Sequence, residues 1–211
     1  MLVVVGGHSR NIGKTSVVAG LIRKLKRSKW IAVKITQYGN GVCTQHSEAC
    51  GCEPSGSDAG QAFALSEEYE PNATDTGRFL AAGAERSFWL RVPAGELPRA
   101  AETVRKILAQ GENAIIESNS VVELVQPDVF LMLLDFSCQD FKASSLRLMD
   151  RADAFVVIDR GISGPMWEAV ARGTWDRKPQ FLVTPPDYVT PAVSGFVRSK
   201  FSPVTHSGST P

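Results

Sequence analysis

The 211 residues carry 23 Lys and Arg against 22 Asp and Glu, a formal net charge of +1, so no basic field points to nucleic acid as a partner. With 43% hydrophobic residues the chain can bury a sizeable core, and its length suits one α/β domain. No apolar run approaches the roughly 18 residues of a membrane span, and the N-terminal LVVV is too short for a signal segment. The expectation is a cytoplasmic protein whose four cysteines are metal ligands or free thiols rather than disulfides.

In chain order, Leu2-Val3-Val4-Val5 reads as a strand that feeds the loop GGHSRNIGKTS, and an amphipathic segment over 16–26 leaves it as a helix. Strand, glycine-rich loop and helix are the context in which Gly13-Lys14-Thr15 reads as the end of a Walker A phosphate loop. Backbone N–H groups and the helix N-terminus then face the phosphates, Lys14 reaches the β and γ oxygens, and the Thr15 hydroxyl binds Mg²⁺. Gly7, His8, Arg10 and Asn11 in the loop, with Gly13 and Ser16, complete the expected nucleotide contacts. The strict motif has glycine where His8 stands. Either the loop is one residue longer, from Gly7, or His8 adopts a left-handed backbone that His tolerates.

Residues 30–35 (WIAVKI) form the second expected strand. Residues 39–74 read as a long loop, rich at its start in Gly, Ser and Cys and without apolar period. Further strands are expected at 86–92, Asn113–Glu117, 128–135, Ala154–Ile158 and 180–184, with helical patterns at 97–110, 143–151 and 166–172. Alternating strands and helices predict a mostly parallel β-sheet with helices on both faces, an α/β fold of the P-loop NTPase type spanning residues 1–202, with a flexible tail at 203–211. His206 lies in that tail and is idle, and Cys138 reads as a small core residue.

A phosphate-loop enzyme needs an acidic group at a strand's carboxyl end, because Mg²⁺ uses only one or two carboxylates beside the Thr and the phosphates. Glu117 ends NAIIE and Asp135 ends VFLMLLD, and both fit. Asp75 either caps a short helix or offers its carboxylate to the Mg²⁺ shell, and Arg78 one turn on either pairs with Asp75 or reaches a phosphate. Ala81-Ala82-Gly83-Ala84 has little side-chain bulk and should pack closely on a neighbour.

VVVGGHSRNIGKT, the strand Ala32-Val33-Lys34-Ile35, the segment DTGRFLAAGA over 75–84, and Ile115-Ile116-Glu117 together resemble the MobB family of molybdopterin-guanine dinucleotide biosynthesis adaptor proteins. The resemblance covers roughly residues 1–135, and 75–84 is its specific part. It implies GTP rather than ATP, and a slow Mg²⁺-dependent GTPase that supports guanylylation of molybdopterin. The molybdopterin guanylyltransferase would then be the partner, and a homodimer is compatible with the sequence.

Cys43, His46, Cys50 and Cys52 lie within ten residues and suit a tetrahedral Zn²⁺ site, or are free thiols in a loop. Asp187 in TPPD is the available acid for reading a base, or a plain turn residue. A kinase or ATP-dependent ligase with its acceptor over residues 117–120, and a non-hydrolysing nucleotide or metal carrier, are the alternative functions.

Overall fold

The computed structural model describes residues 1–39, 63–162, 164–167, 170 and 172–201. Cys43, His46, Cys50, Cys52 and the tail at 203–211 lie outside them, so the zinc expectation falls on residues outside the description.

The strands are β1 (Leu2–Gly7), β2 (Trp30–Tyr38), β3 (Ala64–Glu68), β4 (Arg86–Pro93), β5 (Asn113–Glu117), β6 (Val129–Asp135), β7 (Ala154–Ile158) and β8 (Gln180–Val183). Among the described residues they form one sheet in the order β3, β4, β2, β5, β1, β6, β7, β8, parallel throughout except for β3. The helices are α1 (Lys14–Lys24), α2 (Asp75–Ala81), α3 (Ala101–Leu108), α4 (Ala143–Leu148) and α5 (Pro191–Ser199). The chain is thus α/β, as its alternation of elements predicts.

The interior strands are continuous apolar runs because both sheet faces are covered. Alternate residues feed two cores: Phe130, Met132 and Leu134 of β6 join Val104 and Ile107 of α3 and Leu148 of α4 on one face. Val129, Leu131 and Leu133 meet Val17 and Leu21 of α1, Phe79 of α2 and Val193 of α5 on the other. From β1 the chain turns first toward β2 and later toward β6, so the carboxyl edges of β1, β5 and β6 enclose the crevice where open α/β sheets bind ligands.

Two expectations are corrected, and one helix is added. The stretch 39–74 is not loop throughout, since β3 adds antiparallel to β4, where Arg86 grips Glu67 with Nε to Oε1 and Nη2 to Oε2 both at 2.7 Å. Burial opposes that grip, but the Arg86 hydrogen bond outweighs it and holds the Glu67 carboxyl below its usual range. Met166 and Trp167 are not helical, because Trp167 goes into an aromatic cluster with Phe136 and Phe141. Helix α5 had no counterpart in the sequence reading, although Thr190 accepts from Val193 N–H as its N-cap and Pro191 opens its first turn.

Phe155 is fully buried at the centre of β7. Phe155→Ala should lower the unfolding free energy by roughly 3–5 kcal/mol, read as a shift of the urea midpoint with an unchanged slope.

Candidate phosphate-binding site

Strand β1 continues through Gly7, and His8 N–H still bonds to Leu133 O across the sheet at 3.0 Å. The turn comes later: φ is 53° at Asn11 and 98° at Gly13, and His8 is not among the left-handed residues. The His8 ring is fully buried, 4.6 Å from the Phe141 ring and 5.1 Å from Trp167, with Nε2 3.2 Å from Cys138 O. The expected nucleotide contact is corrected accordingly, because the ring anchors the loop from behind and has no exposed surface to offer a ligand. Burial drives its pKa below the usual value, although the Cys138 and Leu133 carbonyls and Asp135 pull the other way.

Gly13 stands at the N-cap of α1 with no side-chain cap, and no acid lies in the first turn. By contrast, Thr74 and Thr190 cap α2 and α5. The first N–H groups of α1 therefore remain as donors for an anion. Lys14 curls over the loop and donates Nζ to Ser9 O at 3.0 Å. Burial lowers its pKa, the Glu117 charge opposes this, and Lys34 and Arg10 add to the lowering. Thr15 Oγ1 donates to Glu117 Oε2 at 2.8 Å, so the hydroxyl of the loop and the carboxylate of β5 meet.

Asn119 fixes this geometry. Gly7 N–H donates to its Oδ1 at 2.7 Å, and its Nδ2 donates to Gly7 O at 3.0 Å and to Ser145 Oγ at 2.7 Å. Ser145 Oγ in turn donates to Gly7 O at 2.9 Å, which ties β1, the end of β5 and α4 into one unit.

The two other candidate acids are engaged elsewhere. Asp75 faces cations with both oxygens, Lys34 Nζ on Oδ2 and Arg78 Nη1 3.6 Å from Oδ1. Thr74 rather than Asp75 is the α2 cap, and Arg78 also donates to Ser16 Oγ at 2.9 Å. Asp135 accepts from Ser137 N–H at 3.0 Å and Ser137 Oγ at 2.6 Å, and Arg160 Nε lies 3.3 Å away. Burial would raise the Asp135 pKa, but these donors outweigh it and the carboxyl sits below its usual range. Of the small-residue stretch only Ala82 is buried; Gly83 has open space around it and serves a φ of 105° after α2. Cys138 is half-buried, not a core residue.

A cleft of about 1040 Å³ runs from Arg10 and Lys14 past Glu117 and Lys34 to Trp89 and Leu97. A smaller cavity of about 450 Å³, lined by Arg23, Lys26 and Arg198, lies at the opposite end of α1. Asp187 is outside the cleft, on an exposed turn, with Val189 N–H 3.4 Å from its Oδ1. Its neighbours dock that turn on the other flank of the loop. A Cβ at Gly13 would collide with the Tyr188 ring, and one at Gly20 would collide with Val189.

The sequence reading missed Lys34, Asn119, Lys142 and Tyr188. Lys34 left a signal, a charge inside an apolar strand; Asn119 left only its place in the SNS turn after Glu117, and the other two left none.

No protein-family model and no curated protein sequence matches the chain. Among solved structures it is similar to HypB from Helicobacter pylori in complex with nickel, at 14% identity and TM-score 0.49, with 94% of this chain and 86% of that one covered. It is also similar to the apo form of LpxK from Aquifex aeolicus in complex with ATP, at 14% identity and TM-score 0.45, with 86% of this chain covered but only 53% of that one. Among the described residues no helix is long and apolar enough to cross a membrane. The strand, the uncapped helix and the lysine are arranged as in a phosphate loop.

Asn119→Ala leaves Gly7 N–H without its side-chain acceptor and Gly7 O with Ser145 Oγ as its remaining side-chain donor, and should cost roughly 1–3 kcal/mol, read in thermal melting. His8, with a folded pKa below 6.5, binds fewer protons folded than unfolded, so stability should fall as pH drops below 6.5. That slope should flatten in His8→Phe, measured by urea unfolding across pH 5 to 7.

Proposed function

We propose that the chain is a Mg²⁺-dependent phosphate-loop NTPase, a slow GTPase acting as an accessory factor in guanylylation of molybdopterin. The observation that carries the reading is the 2.8 Å contact of Thr15 Oγ1 with Glu117 Oε2 above the uncapped N-terminus of α1, with Lys14 beside it. The donor set fits Mg²⁺: a hydroxyl and a carboxylate are hard oxygens, and this ion needs few protein ligands. Thr15 and Glu117 would hold it, whereas Asp75 keeps Lys34 and Arg78 in place. The ion, when bound, draws charge from the β and γ oxygens.

The chain's own groups do the rest. The N–H groups of the loop and first turn of α1 cradle the phosphates, and the Lys14 ammonium leaves Ser9 O for their oxygens. Water attacks the γ-phosphorus in line, the bond to the β,γ-bridging oxygen breaks, the diphosphate leaves with the electron pair, and the water's proton ends on the released phosphate. Asp187, two residues before the Val189 that seats on Gly20, is the acid that would read the base from the loop's other flank. GTP and the guanylyltransferase partner come from the resemblance of residues 75–84 and the loop to the MobB family.

A second reading is transfer to an acceptor. The cleft extends to Trp89 and Leu97, away from the Tyr188 flank, which leaves room for a second molecule beside Glu117.

Lys14→Ala should keep the fold yet weaken triphosphate binding by several kcal/mol, measured by titration calorimetry with GTP and ATP side by side. Unchanged affinity would end the phosphate-loop reading. Glu117→Gln should lower the phosphate-release rate far more than nucleotide affinity, and an acceptor-stimulated rate would shift the assignment toward transfer.

A further inference from the structure

We propose that Lys142 is a second phosphate-reading lysine: with Lys14 and Arg10 it surrounds the terminal phosphate of a bound nucleoside triphosphate and separates triphosphate from diphosphate. The inference rests on the phosphate-loop reading above.

Placement comes first. The segment from Asp140 to Ser145 runs along the phosphate loop and is fastened to it at three points. Ser9 Oγ donates to Asp140 Oδ2 at 2.8 Å, Lys142 N–H donates to His8 O at 2.9 Å, and Ser145 Oγ donates to Gly7 O at 2.9 Å. Phe141 turns inward, its ring 4.6 Å from that of His8. Lys142 itself is extended, with φ −71° and ψ 139°, so its side chain points the opposite way and lines the cleft.

Charge comes second. The other cations that the sequence reading did not assign to the cleft have acidic partners, Lys34 with Asp75 and Arg147 with Glu123 at 3.0 Å. Among the described residues the Lys142 ammonium has neither a hydrogen bond nor an ion pair. It faces Lys14 of α1 and Arg10 of the loop, which repel it, and Glu117 of β5 and Asp140 of its own segment, which attract it. A partly buried cation set among cations is unfavourable by itself and becomes favourable once an anion lies between them. Lys14, Lys142 and Glu117 line the same cleft, and Glu117 is the group that holds the Thr15 hydroxyl, so both lysines border the space beside that pair. The β-phosphate belongs to the loop N–H groups, and the γ-phosphate projects outward into this region.

Burial, with repulsion from Lys14 and Arg10, lowers the Lys142 pKa to about 7. A phosphate beside it restores the ordinary preference for the charged form, so triphosphate binding near neutral pH takes up a proton.

The test is titration calorimetry with Mg²⁺ and either a β,γ-imido GTP analogue or GDP, with the adenine pair in parallel. Wild type, Lys142→Ala and Lys142→Arg are compared at pH 7 in two buffers of different ionisation enthalpy. Lys142→Ala should weaken the triphosphate analogue by roughly ten- to a hundredfold, leave GDP little changed, and reduce proton uptake, any remainder belonging to Lys14. Lys142→Arg should retain triphosphate affinity with the same reduction in proton uptake, and it keeps the test decisive should the alanine variant not fold. Equal losses for both nucleotides, no loss, or proton uptake as large in Lys142→Arg as in wild type would overturn the assignment. Failure of wild type to bind any of the four nucleotides would overturn the phosphate-loop reading with it.

Discussion

The two hydrogen bonds that Asn119 closes on the peptide of Gly7 are the constraint on which the site depends. A phosphate loop works only if its entry point is fixed, because every later N–H group takes its direction from there. Asn119 meets both the backbone donor and the backbone acceptor of one residue, and Ser145 adds a second donor to the same carbonyl. Strand β1, the exit of β5 and the start of α4 therefore move as one body, and Glu117, two residues before Asn119, comes to the Thr15 hydroxyl by the same device. An amide side chain suits this place, since a carboxylate offers no donor to Gly7 O.

Behind the loop the apolar contacts serve the same end. His8, Phe141 and Trp167 form a tilted and edge-on aromatic cluster, with Phe136 and Trp175 continuing it. Keeping His8 neutral is consistent with that packing, because an imidazolium there would lack water. The cluster turns Phe141 inward and so leaves Lys142 on the cleft side.

In front of the loop, electrostatics prevail over packing. Lys14 and Lys142 both hold their protons less firmly than ordinary lysines, each chiefly because burial withholds water from the ammonium. Of the acids present, Asp75 is bound to Lys34 and Asp135 to Arg160, and the attraction of Glu117 and Asp140 offsets the burial of the two lysines only in part. Such an arrangement favours an anionic ligand over none, by the same rule that makes uncompensated buried charge unfavourable.

Local pattern alone determined the α/β class, most of the strands, and the Gly13, Lys14, Thr15 loop end, with Glu117 as one of three candidate acids. These follow from short continuous apolar runs, from glycine's access to positive φ, and from an acid closing an apolar strand, all of which are properties of neighbouring residues. The same pattern misplaced His8, since spacing locates a residue in a loop without saying which way its side chain turns. It also left β3 inside a loop, because a five-residue edge strand with the sequence ALSEE has little apolar content and is held by β4. Only the tertiary structure engaged Asp75 with Lys34 and Asp135 with Arg160, seated Tyr188 against Gly13, and brought Lys142 to Lys14. Each of these pairings joins residues far apart in the chain, and charge or shape complementarity at such separations comes into being only when the sheet is assembled.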